Sequence, residues 1–246
     1  MNKKKVLLTV LALILVCALS VTGTLAYLQA SQEGEQAVVN TFVAAGGGKI
    51  ITSDDALKLV ESKAEYTTAA EATADKPMGY HLIRDTETTK NNYKMATPNM
   101  TIPKDPKLTV NLEAGIEAYI FVKVIDATQG NIIHTVDTTK WGSVTVSSIT
   151  SPDALYVYKT ATSNIVTGVS GSDLENVAIL AGNNVTVLNA GENDAAFTDT
   201  VPDDVNKPET LGVQLGELKF EAYVCQAAGF ADAAAAFNAC FVTTTP

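Results

Sequence analysis

Few side chains in this chain could do chemistry. The two histidines, His81 and His134, stand 53 residues apart. A zinc hydrolase needs three protein ligands and a base beside one open position. Neither histidine sits in an HExxH helix and no CxxC pair is present, so a peptidase could be built only as a split site with a carboxylate. Lys104 and Asp105 adjoin each other before Pro106; an Asp-Pro step suits a solvated turn better than an acid–base pair. Gly46, Gly47 and Gly48 are not followed by a GK[ST] step, which leaves a hinge or bulge rather than a phosphate cradle. Trp141, with Tyr156 and Tyr158, is the one aromatic group that could stack on a sugar; its alternative is core packing. Glu192, Asp194, Asp199, Asp203, Asp204 and Glu209 cluster without the spacing of a calcium loop and read as a solvated excursion. No catalytic, cofactor-binding or metal-binding residue is assigned, and the chain is read as a non-enzyme.

Charge removes other classes. The 246 residues carry 17 basic and 27 acidic side chains, a formal charge of −10. Lys3, Lys4 and Lys5 precede an apolar run from Val6 to Val21, with small residues at Thr24 and Ala26. That is the layout of a secretory signal peptide, with cleavage expected between Ala26 and Tyr27. Without the leader, 14 basic residues face 27 acidic ones. No basic cluster survives, which argues against nucleic acid and anionic lipid as partners, and contact with a membrane is expected only through the uncleaved leader. Cys17 falls in the leader. Cys225 and Cys240 remain as an even pair in an exported chain, either bonded or packed as buried thiols.

The elements that must position these residues are mostly strands. Lys104 to Ile125 reads as two strands and a tight connection at Glu113–Gly115, placed near the middle of the core. Ala118, Ile120, Val122 and Val124 take one face, and Tyr119, Phe121 and Lys123 the other. Val38, Val39, Asn40, Thr41, Phe42, Val43 and Ala44 form a further apolar strand. A short helix is expected over Asp54–Lys63, capped by Thr52 or Ser53, with Leu57 and Val60 on one face. Long surface excursions are expected near 64–92 and 189–210. Leu155–Lys159 and Val185–Leu188 alternate as strands. Leu218, Phe220, Ala222 and Val224 make a closing strand. Gly229 turns the corner into an alanine-rich helix with Phe230, Ala234, Phe237 and Phe241 on one stripe. The pattern predicts a leader over 1–26 and one antiparallel β-sandwich over 27–246, jelly-roll-like, with one or two short helices.

Three stretches also resemble a known family. Gly23, Thr24, Ala26, Tyr27, Asn40, Phe42 and Gly46 are similar to the leader junction of the TasA/camelysin family, exported proteins of Gram-positive bacteria. The spacer departs from the family pattern, with Glu33 and Glu35 where Asp is usual. Tyr93, Lys94, Met95, Lys104, Asp105, Pro106, Ala118, Tyr119, Phe121, Val122, Lys123 and Val124 match a second run. Ala222, Tyr223, Gln226, Gly229 and Phe230 match the closing strand and corner. The resemblance implies processing by a SipW-type signal peptidase. It further implies a secreted structural protein of the cell surface or biofilm matrix, partnered by itself or by related matrix proteins. A physical route to fibres is donation of the Val38–Ala44 strand to a neighbouring sheet; the counter-reading is that this strand pairs within its own chain. A secreted adhesin or carbohydrate-binding module is the alternative function, with a camelysin-like metallopeptidase behind it.

Overall fold

The computed structural model describes residues 27–30, 39–42, 50–52, 56–93, 96–97, 99–128, 130–169, 173–188 and 216–242. Over these the chain is mostly β, in antiparallel sheets, with a single α-helix at its C-terminal side. The strands are β1 (Tyr27–Ala30), β2 (Val39–Phe42), β3 (Leu57–Thr67), β4 (Gly79–Thr88), β5 (Thr101–Pro103), β6 (Lys107–Val110) and β7 (Glu117–Asp126). They continue with β8 (Ile132–Ile133), β9 (Trp141–Val144), β10 (Ala154–Tyr158), β11 (Val166–Thr167), β12 (Leu174–Ala178), β13 (Asn184–Val187) and β14 (Leu218–Gln226), and the helix is α1 (Ala233–Phe241).

The central strand is β7. It pairs along its whole length with β14, from Leu218↔Asp126 to Gln226↔Ala118. Its other edge is shared by β10 and β11, and β9 extends the sheet beyond β10. Ala118 to Val122 are buried without a break, because both faces of the strand are covered. The core lies on one face. On the other, Phe121 meets the edges of Phe237 and Phe241 of α1 at 5.3 and 6.3 Å. A helix lying across the sheet turns an alternating strand into one buried on both sides.

A second sheet runs β12-β6-β3-β4 and a third β5-β13-β8. Leu57, Leu59, Leu108, Val110, Leu174 and Val177 of the second sheet and Ile102, Val185 and Val187 of the third join Ile120, Val122, Val124, Leu155, Phe220 and Val224 of the first in one core. The arrangement is sandwich-like, and a jelly-roll path is compatible with these strand orders.

Three local expectations change. The two strands of Lys104 to Ile125 do not pair with each other: β6 joins β3 and β12, whereas β7 joins β14, β10 and β11. Their connection is a step between sheets, pinned where Leu112 bridges to Ile51. The helix over Asp54–Lys63 is replaced by strand β3 from Leu57 onward; residues 53–55 lie outside those described. Leu57, Leu59 and Glu61 are buried while Lys58 points to solvent, a two-residue period that no helix face can satisfy. The excursion near 64–92 is largely the β3–β4 hairpin, joined by the exposed segment Thr68–Met78. The one near 189–210 lies outside the described residues.

Candidate functional site

Two features could carry function: the outer edge of β14, and a buried polar cluster where β3 meets the link between β5 and β6.

The residue pattern of β14 buries its core face and covers the C-terminal part of its other face. Phe220, Ala222 and Val224 face the core and are buried. On the opposite face Tyr223 sits beneath Phe237 and Phe241, with ring centroids 5.4 and 4.9 Å away. Tyr223 also stands directly across from Phe121 of β7, and such cross-strand aromatic pairs stabilise a ladder. The Tyr223 hydroxyl donates to Glu221 Oε2 at 2.5 Å. Burial first, and then that carboxylate, push its pKa up, so it stays a neutral phenol. Cys225 is bonded to Cys240, which ties β14 to α1. The helix starts at Asp232, whose carboxylate accepts from the Ala235 amide at 2.8 Å, after Gly229 turns at a φ of 92°. One edge of β14 is taken by β7, and the other is hydrogen-bonded by no described strand.

Strand β2 lies beside β14, with Cα atoms within 8 Å, yet it belongs to a separate two-stranded sheet with β1. The β1–β2 register runs Tyr27↔Phe42 to Ala30↔Val39. The expected strand Val38–Ala44 thus appears as β2; Val38, Val43, Ala44 and Ala26 lie outside the described residues, and Tyr27 opens β1. Strand β1 has no counterpart in the sequence pattern, because its four residues YLQA are too few to show a period.

The polar cluster is built from residues far apart in the chain. Lys104 Nζ contacts Glu61 Oε2 at 2.8 Å, with only 12 % and 6 % of the two side chains exposed. The Asn91 amide donates to the other Glu61 oxygen at 2.9 Å. Asp105 accepts from the Ser62 amide at 2.8 Å and the Ser62 hydroxyl at 2.7 Å, and pairs with Lys107 at 2.9 Å. The Asn91 side chain bridges the Ala64 amide and the Ser62 carbonyl at a break in the β3–β4 register. Tyr93 donates to the Pro103 carbonyl at 2.8 Å. Its pKa is raised by burial first, and then by Glu61 and Asp105. The solvated turn expected at Lys104-Asp105 is therefore corrected: Asp105 is 4 % exposed and fully engaged. A buried carboxylate survives only where donors replace its water, and β3 supplies them.

The remaining candidates disperse. His81 lies on β4 with its Nε2 at the Pro77 carbonyl, and the His134 ring stands 3.8 Å from Asp126. Among the described residues no three His, Cys, Asp or Glu side chains converge as a metal-holding group. Trp141 is 1 % exposed, donates from Nε1 to the Ala178 carbonyl at 2.9 Å and packs edge-on with Tyr158. It is core, and no indole face remains for a sugar. No described helix is long and apolar enough to cross a membrane.

Comparison with protein-family models, with curated proteins and with solved structures finds no match.

Proposed function

We propose that this chain is a secreted structural protein of the cell surface or biofilm matrix that assembles by strand addition at the β14 edge. The observation that carries the proposal is the placing of β2: beside the edge strand, outside its ladder, and paired only with the four-residue β1. A two-stranded ribbon of that length has little stability of its own. Beside a neighbouring molecule, the same segment can complete that molecule's β14 edge through main-chain hydrogen bonds. Each molecule then offers one strand and receives another, a head-to-tail contact that does not close and so grows a filament.

Leader cleavage between Ala26 and Tyr27 by a SipW-type peptidase would free β1 and β2 for exchange.

Electron microscopy of residues 27–246 beside a version starting at Gly46 tests the reading. Filaments from the first and monomers from the second are expected. Filaments from both, or monomers from both across salt and pH, would overturn it.

A further inference from the structure

The ion pairs of this protein are not alike. Lys58–Glu87 and Lys63–Glu65 are about half exposed and hydrated, as surface pairs usually are. Lys107 and Asp105 are two residues apart, and both Asp105 oxygens are already engaged by Ser62. Among the described residues Lys104 and Glu61 are the most buried pair: 43 positions apart in sequence, 2.8 Å apart in space, and almost out of solvent. The ring centroids of Tyr93 and Phe220 lie 5.9 and 5.8 Å from Lys104 Nζ and wall the amine off.

We propose that Lys104 and Glu61 condense into an intramolecular isopeptide bond. In water the hydration of both ions opposes amide formation. Out of water that hydration is largely gone, and the 2.8 Å contact gives the proton a direct path from Nζ to Oε2 as the new bond forms. The amine stands directly against the Glu61 carboxyl, and holding two reactants together in this way makes an intramolecular step fast. Nζ attacks Cδ. Charge develops on Oε1, where the Asn91 amide already donates at 2.9 Å, an oxyanion-type contact in place before reaction. The Nζ–Cδ bond forms and the Cδ–Oε2 bond breaks. The ammonium gives up two hydrogens, and both leave with Oε2 as water. No oxidant, cofactor or second molecule is required.

Asp105 acts as a positioning residue. By holding the Ser62 amide and hydroxyl it locks the β5–β6 link against β3, which keeps the amine and the carboxyl in register. The product is a covalent tie between β3 and the β5–β6 link, in a position where load on either would otherwise have to be borne by hydrogen bonds. The inference does not depend on assembly and applies equally to a monomer.

Intact mass of the purified, disulfide-reduced and denatured chain decides it. The wild-type mass, counted from its sequenced N-terminus, should fall short by one water. Lys104→Arg, which keeps the charge but cannot condense in this way, should show its full mass. A tryptic digest of the wild type should contain the peptide of residues 59–63 joined to that of residues 95–107. A full-mass wild type would overturn the proposal without any variant having to fold, and so would a deficit that persists in Lys104→Arg.

Discussion

The β7–β14–α1 unit and the β1–β2 pair are neighbours, but they are held by different physics. In the first, nine register pairs join two strands, an aromatic cluster of Phe121, Tyr223, Phe237 and Phe241 fills the space under the helix, and Cys225–Cys240 closes it. Each interaction depends on the others, so the unit opens only as a whole. The second is four register pairs in a sheet of two strands. Free energies of local opening span from near zero up to the global value within one protein, and these two regions should stand near opposite ends of that range. The contrast shows how a fold can be stable and still offer one exchangeable element: anchor an edge strand along one side, and leave the strand pair near it weakly held.

Mutations can break or sharpen that contrast. The largest effect should come from Phe121→Ala, which empties the site between β7 and α1 and should cost about 3–5 kcal/mol of unfolding free energy. Removing residues 27–45 should change the unfolding of the remaining body by less than about 1 kcal/mol, the level expected of a marginal two-stranded ribbon. Urea denaturation followed by Trp141 fluorescence measures both. A large loss on truncation would mean that β1 and β2 are part of the cooperative body.

Lys104→Met should be nearly as damaging as the cavity, at about 3 kcal/mol, because Glu61 is left buried without its partner. Pairing it with Glu61→Leu should recover only the part of the loss that comes from the unpaired carboxylate, and not the part that comes from the missing tie to β3. Replacing Cys225 and Cys240 together by alanine frees a loop of 15 residues, worth about 3 kcal/mol in the chain-entropy account. The loss should be absent when wild type is compared under reducing conditions.

The smallest effect calibrates the scale. Asp137 accepts from the Thr139 hydroxyl at 2.6 Å and from its amide at 3.0 Å, and the hydroxyl contact is the largest cause of its lowered pKa. A carboxyl with a lower pKa folded than unfolded stabilises the fold above its ordinary range and loses that contribution as the pH falls through the lowered value. Asp137→Asn should cost a few tenths of a kcal/mol near neutrality, as expected of a partly exposed turn contact. The gap to wild type should close on acidification. Thermal melts across pH would show it, and a gap that widens in acid would contradict this account.

The strands that alternate cleanly were readable from sequence. Ala118 to Val124, Leu155 to Tyr158 and Leu218 to Val224 place their apolar residues every second position, and each is a strand. The stripe of Phe237 and Phe241 likewise marked α1. What stayed hidden depended on distant partners. Strand β3 alternates Leu57, Leu59 and Glu61 toward the interior, but the third of these is a carboxylate. Its burial makes sense only once Lys104, 43 residues on, is seen beside it. The acidic start at Asp54-Asp55 and the Leu57/Val60 spacing then favoured a helix. Asp105 misled for the same reason, since its donors belong to Ser62. The register of β6 and β7 in separate sheets is a tertiary fact that local alternation cannot express.

Residue-level amide hydrogen exchange on residues 27–246 tests the central contrast most directly. In the monomer, the β1 and β2 amides should exchange with far lower protection than Ile120, Val122 and Val124 of β7. On assembly, β2 and the outer edge of β14 should gain protection together. Equal protection of β2 and β7 in the monomer, or assembly with no change at β14, would contradict the account.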